Sequence, residues 1–163
     1  MAGSLKDLQK LLDKAAEQIP DKVLSIIEVE ALNSINKNFQ DQGFNDTGIS
    51  KWKPRKTTDK KGRDLTRYRT DRKGKRGELT RFGQKEIGRN ILIGHNTGGN
   101  KLWKSFRARR EQNRVRIYTY KPYAKRHNEG IDGMPKRQFM GNSQYLREQI
   151  KNKVTKELDK IFK

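Results

Sequence analysis

The sequence predicts an α+β domain: a long N-terminal helix and a C-terminal helix packed on a small antiparallel sheet, with a long basic loop or arm between them. Three observations predict it. Apolar residues recur at three- and four-residue steps near both ends of the chain. Two short stretches between Leu102 and Tyr120 carry strand-like patterns instead. A segment dense in Lys and Arg and poor in aliphatics separates the first helix from those strands.

Ser4 with Asp7 reads as a helix N-cap followed by an acidic first turn. Leu8, Leu11, Leu12, Ala15, Ile19, Val23, Ile26, Ile27 and Leu32 then make one apolar face of a helix running to about Phe39. Pro20 has no N–H to donate and its ring crowds the preceding turn, so a kink or a split into a helix pair is expected there. Glu28 and Glu30 read as members of a solvated face. Gln42-Gly43 ends the helix, so that residues 1–43 form the first part of a single domain covering 1–163.

Residues 44–90 hold four glycines before Gly83 and sixteen Lys or Arg between Lys51 and Arg89. Trp52, Leu65, Tyr68, Leu79 and Phe82 are the clear anchors. That is too little apolar area for a core of its own, so the segment is expected to be an extended arm ordered by contact with something else.

Residues 91–163 return to regular structure. Ile91-Leu92-Ile93 is a short strand candidate, Leu102–Arg107 and Arg114–Tyr120 are two more, and Arg110–Asn113 joins the latter pair. Val115, Ile117 and Thr119 face one way, Arg116, Tyr118 and Tyr120 the other. Tyr123–Asn128 reads as a helical turn stopped by Gly130. Ser143 caps a last helix whose buried stripe is Leu146, Ile150, Val154, Leu158 and Ile161 or Phe162.

Bulk properties narrow the function. A chain of 163 residues fits one domain. With 31% hydrophobic and 36% charged residues, its core is thin or padded by extensions. The lack of cysteine excludes disulfides and thiolate metal sites. No apolar run approaches the roughly 20 residues of a membrane span, and the N-terminus lacks a signal-peptide pattern. A soluble, intracellularly made protein without membrane contact is expected. The net charge of +20 exceeds what solubility needs and points to a negative partner. Residues 1–50 carry −3, residues 51–126 carry +20 and residues 127–163 carry +3.

Candidate chemistry is sparse. Gly94–Gly99 (GHNTGG) and Gly83–Gly88 (GQKEIG) lack the Lys and Ser or Thr that complete a phosphate loop, and read as turns. His127 with Glu129 and Asp132 lies within one short turn, unlike the spread ligands of a zinc site, so no metal or cofactor is expected. A structural hydrogen bond that pins the turn is the role expected of His127. No nucleophile–base or paired-carboxylate grouping stands out, and an enzyme is not expected. The basic segment, with Lys51, Lys53, Arg55, Lys56, Arg67, Arg69, Arg72, Lys73, Lys75 and Arg76, offers phosphate neutralisation around Tyr68 without any base-reading motif. Its partner is a neighbouring protein or DNA, contacted without sequence preference; the two are compatible. Trp103 and Phe106 read as core residues. Tyr118, Tyr120 and Tyr123 crowd one sheet edge, where aromatics suit an interface.

From Trp52 onward, ordered landmarks accumulate: Trp52-Lys53-Pro54, Ile91–Ile93, Thr97-Gly98-Gly99, Leu102, Ser105-Phe106, Tyr123-Ala124, His127-Asn128-Glu129-Gly130 and Arg137-Gln138-Phe139-Met140-Gly141. Their order and spacing resemble the phage virion morphogenesis family, the Mu-type tail completion or head–tail joining proteins, over about two-thirds of the chain. Gln138 stands where that family usually has proline, and the basic segment is unusually long. The resemblance implies a structural, non-enzymatic protein of a tailed phage or prophage, made in the bacterial host cytoplasm and located in the virion. It implies a homo-oligomeric ring docked to neck, connector or tail-tube proteins. Tyr120, Tyr123, His127, Gly130, Arg137, Phe139 and Gly141 would then shape or form the docking surface. The alternative is a sequence-independent nucleic-acid-binding protein that acts through the basic segment.

Overall fold

The computed structural model describes residues 5–71, 77–94 and 101–162, with the backbone alone at residues 5–8 and 11. In chain order it has α1 (Leu5–Asp41), β1 (Gly43–Asn45), β2 (Ile49–Lys51) and α2 (Arg81–Glu86), then a 3-10 turn (Leu102–Lys104). β3 (Phe106–Glu111), β4 (Arg114–Thr119), α3 (Ala124–Glu129) and α4 (Gln144–Ile161) follow. The fold is α+β, with two separate two-stranded antiparallel sheets, β1–β2 and β3–β4, where one small sheet was expected.

α1 runs as one helix through Pro20, so of the expected kink or split the split is excluded. Ile19, Val23 and Ile26, on both sides of the proline, face Val154, Leu158 and Ile161 of α4. This shared apolar seam packs residues on both sides of the proline against one helix. α4 packs along α1, whereas β3 and β4 take another part of the α1 surface. Glu30, 8% exposed, meets Lys153 of α4 at 3.7 Å, and Glu28 bonds Arg110 of β3 at 2.5 Å. Neither glutamate belongs to a freely solvated face. Ser143 caps α4 as expected, its Oγ accepting from the Leu146 N–H at 3.1 Å. Asp46 adds a second cap by accepting from the Gln144 N–H at 2.6 Å. The α4 stripe is half-buried from Leu146 to Ile161, while Phe162 is exposed. Ser4, the expected cap of α1, and the side chains of Leu8 and Leu11 lie outside what is described.

Gln42 ends α1 in the left-handed region, at φ 51°. Its Nε2 donates to the carbonyls of Phe39 (2.7 Å) and Ile91 (3.3 Å), and its Oε1 accepts from the Ile91 N–H. The Gln42 carbonyl accepts from the Trp52 N–H at 2.8 Å. This arrangement overturns the strand expected at Ile91–Ile93. A side-chain amide satisfies the Ile91 backbone, Leu92 takes φ 63°, and the stretch forms a turn. The strand expected over Leu102–Arg107 begins at Phe106, because Leu102–Lys104 coils into the 3-10 turn closed by the Ser105 hydroxyl on the Leu102 carbonyl at 2.7 Å. The β3–β4 hairpin turns at Gln112-Asn113, with Glu111 opposite Arg114. β4 alternates as the sequence predicts: Val115, Ile117 and Thr119 half-buried, Arg116 and Tyr118 exposed.

The core joins Ile35, Phe39, Trp52, Leu102, Phe106, Ala124 and Phe139. Phe39 is its hub, with ring centroids 5.2 Å from Phe139, 5.3 Å from Trp52 and 6.0 Å from Phe106. The aromatic cluster concentrates apolar area in few residues, which suits a chain with little of it. Leu92, Trp103 and Met140 pack around its rim.

Trp52 begins the basic segment inside this core, its indole N–H on the Gln138 carbonyl at 2.7 Å. The described parts of the segment fold on themselves rather than extending as an arm. Bridges join Thr58 to Asp64 and Arg69 to Leu79, and Thr80 caps α2 through the Gly83 N–H at 2.9 Å. Tyr68 and Phe82 pack at 5.8 Å. Gly83 permits this closure, since a Cβ there would lie 2.0 Å from the Tyr68 carbonyl oxygen. Leu65 and Phe82 stay about half exposed, as weak anchors do.

Candidate functional site

The stretch from Tyr120 to Gly141 links β4 to α4 and frames a concave part of the surface. α3 stops at Gly130, where φ 74° favours glycine. A Cβ at Gly130 would also lie 2.8 Å from the Lys136 nitrogen, so the returning chain needs the missing side chain too. The return is pinned to α3 by backbone: the Arg137 N–H donates to the His127 carbonyl at 2.7 Å. The His127 ring, expected to be the pin, is not; its Nδ1 is buried and has no hydrogen-bond partner. Burial, and secondarily the charge of Arg137, hold its imidazole below the ordinary value of 6.5, favouring the neutral form. Tyr123 packs edge-on against it at 6.2 Å between ring centres.

Arg137 is 7% exposed. Its Nε donates to the Lys53 carbonyl at 3.1 Å, tying the basic segment to the linker. Burial, then the charge of Arg55, lowers the guanidinium from its ordinary value, yet it stays a cation near neutrality. Arg137 and His127 line a cleft of about 660 Å³ with Arg55, Lys56, Arg89 and Lys101. Ile91, Leu92, Leu102, Tyr123, Met134 and Pro135 supply its apolar surface. No carboxylate is among the described lining residues. Arg89 is paired with Glu86 at 2.6 Å, whereas Arg55, Lys56, Lys101 and Arg137 make no ion pair among the described residues.

Phe139, taken from sequence as part of the docking surface, is 1% exposed and belongs to the core, where it shapes the linker from beneath. Gly141 is exposed, and Gly130 is partly covered. Tyr118, Tyr120 and Tyr123 are exposed by 42%, 59% and 40%, and Ile131 and Met134 lie exposed on the same linker. Glu129 and Asp132 pair with Lys125 (4.0 Å) and Arg126 (2.9 Å). Among the described residues no three His, Asp or Glu side chains cluster as metal ligands, and no helix is long and apolar enough to cross a membrane.

The basic-segment residues separate. Arg55 and Lys56 reach the cleft. Lys51 donates to the Asp41 carbonyl at 2.7 Å, and Arg69 to the Gly77 carbonyl at 2.8 Å. Lys53 and Arg67 are exposed, Lys53 holding Arg137 through its backbone. Arg72, Lys73, Lys75 and Arg76, like the GHNTGG loop beyond Gly94, lie outside the described residues.

Sequence reasoning missed the residues that hold the linker in place. Asn38, 1% exposed, donates to the Phe139 carbonyl at 3.0 Å and accepts from the Asn45 N–H and side-chain amide, each at 2.9 Å. The Asn128 side chain accepts from the N–H groups of Phe139 (3.0 Å) and Met140 (2.9 Å). The available signal was Asn38 directly before Phe39, at the core end of an apolar stripe. No protein-family model, curated protein or solved structure matches this chain.

Proposed function

We propose that this chain is a structural assembly protein of a tailed-phage or prophage virion, one that completes the tail or joins head to tail. In this reading it performs no catalysis and docks copies of itself and neighbouring virion proteins into a ring. The carrying observation is the exposed tyrosine rim, Tyr118, Tyr120 and Tyr123, beside a β3–β4 ribbon whose strands pair only with each other among the described residues. Aromatic side chains with open strand edges favour protein docking and strand addition. A head-to-tail contact between unlike faces closes into a ring when its rotation permits. The ordered landmarks from Trp52 to Gly141 support the same reading, and the net charge of +20 suits a DNA passage or an acidic neighbour.

Sedimentation velocity over rising concentration, with electron microscopy of the heaviest species, tests the proposal. The expected result is a closed ring that Tyr120→Ser with Tyr123→Ser disperses. A chain that stays monomeric throughout, yet binds duplex DNA tightly at low salt, sinks it. That outcome would favour the second reading, a sequence-independent nucleic-acid-binding protein, for which the four cleft cations without an ion pair among the described residues speak. Affinity would then fall steeply with salt.

A further inference from the structure

The cleft between the basic segment and α3 is a second feature, sharing Tyr123 with the tyrosine rim but defined by its own cations. Its volume of about 660 Å³ lies within the usual range for small-ligand pockets, roughly 300–1,000 Å³. That is more room than a single inorganic anion occupies. Arg137 is almost fully enclosed at its wall, and a guanidinium so deeply placed ordinarily has a counter-charge. Here its hydrogen-bond partner among the described residues is a neutral carbonyl, that of Lys53. Arg55, Lys56 and Lys101 add positive charge with no carboxylate among the described lining residues.

His127 contributes an independent observation. Its ring lines the same cleft, while its buried Nδ1 has no hydrogen-bond partner among the described residues. The Tyr123 ring, Leu92 and Met134 complete the cleft with apolar surface. The site thus combines concentrated positive charge, an imidazole ring and an aromatic wall.

We propose that the cleft binds a phosphate monoester carrying a flat aromatic body, namely a nucleoside monophosphate, taken free or as the 5′ end of a strand. Its phosphate carries close to two charges and three acceptor oxygens, which engage Arg137 and the rim cations together. A lone carboxylate would leave most of that positive charge uncompensated. The base lies against Tyr123 and the apolar wall, a contact that tolerates any base. An acidic peptide is the contrasting occupant, disfavoured because its charge is spread along a chain and it brings no stacking surface.

The full-length protein is titrated with deoxyadenosine monophosphate, deoxyadenosine, inorganic phosphate, and a short oligonucleotide with or without a 5′ phosphate. Calorimetry reads affinity, and the His127 imidazole resonance reads location. The expected result is saturable one-to-one binding of a phosphorylated probe that moves the His127 resonance. Deoxyadenosine and inorganic phosphate should each bind at least about tenfold more weakly than that probe. Movement by the mononucleotide identifies the free ligand; movement by the 5′-phosphorylated strand alone identifies a strand end. Lys56→Gln and Lys101→Gln should each weaken binding about tenfold, and Arg137→Gln should abolish it. Should Arg137→Gln fail to fold, the two rim variants carry the test. Equal binding of both oligonucleotides with His127 unmoved would overturn the proposal. So would an oligo-glutamate peptide that moves His127 where nucleotides do not.

Discussion

Asn38 and His127 show two fates of a polar side chain set against an aromatic core. The Asn38 amide has its two nearest backbone neighbours, the Phe139 carbonyl and the Asn45 N–H, and holds both. Asn38→Ala leaves those groups without partners inside a packed region. It should cost about 3 kcal/mol, read as a lower urea midpoint with an unchanged slope. The His127 nitrogen has no such partner, and protonation would place a charge beside Arg137. Its native pKa is depressed, so the unfolded chain takes up a proton first as pH falls. Its stabilising contribution is full above about 6.5 and is lost as pH falls below that value through the native pKa. His127→Gln should flatten the melting-temperature profile across this window, separately from the carboxylates that titrate at lower pH. From sequence, the turn around His127 was legible but its working part was not. A histidine in a short polar turn suggests a ring hydrogen bond, whereas the backbone made it.

Elements with local signals were read correctly from the chain. Ser143 before the apolar stripe gave the α4 start, the Val115–Thr119 alternation gave β4, and Gly130 gave the end of α3. Those that failed were decided by partners distant in sequence. Ile91–Ile93 has strand-like composition, yet Gln42 occupies its backbone; a split at Pro20 is one expectation, yet α4 packs on both sides of it and the helix continues. Gly130→Ala should test how far the α3 cap governs the linker. The positive φ alone costs roughly 1–2 kcal/mol, and the Lys136 backbone at 2.8 Å adds to it. Thermal denaturation should show a loss of at least that size, together with greater proteolytic cleavage near Ile131. An unchanged melting temperature would mean the linker accommodates another path.

At the scale of the whole molecule, the sequence revealed where charge concentrates but not how much of it is held in place. The +20 of residues 51–126 reads as one undifferentiated segment in the sequence. Among the described residues it includes cations engaged by backbone carbonyls, such as Lys51 and Arg69, cations paired with carboxylates, such as Arg110, and cations gathered at the cleft. The cleft itself was invisible because its walls come from residues 55–56, 89–94, 101–102 and 123–137, which no local pattern connects. The exposed tyrosines were legible, since β4 alternation alone sends Tyr118 outward.

Gln42 gives the segment after it an unusual independence. Its carbonyl receives Trp52 and its side-chain amide receives Ile91, so a detour of nearly forty residues departs from and returns to one amino acid. The detour should therefore behave as a cassette. Replacing residues 54–89 with a short glycine-serine linker keeps both stems and the Lys53 carbonyl, and lowers the loop-closure cost by roughly 1–2 kcal/mol. The shortened chain should retain a cooperative melt and buried-tryptophan fluorescence. It should also lose the cleft wall formed by Arg55, Lys56 and Arg89, separating scaffold from cargo surface in a single deletion. A molten, non-cooperative product would mean that the excursion is part of the frame.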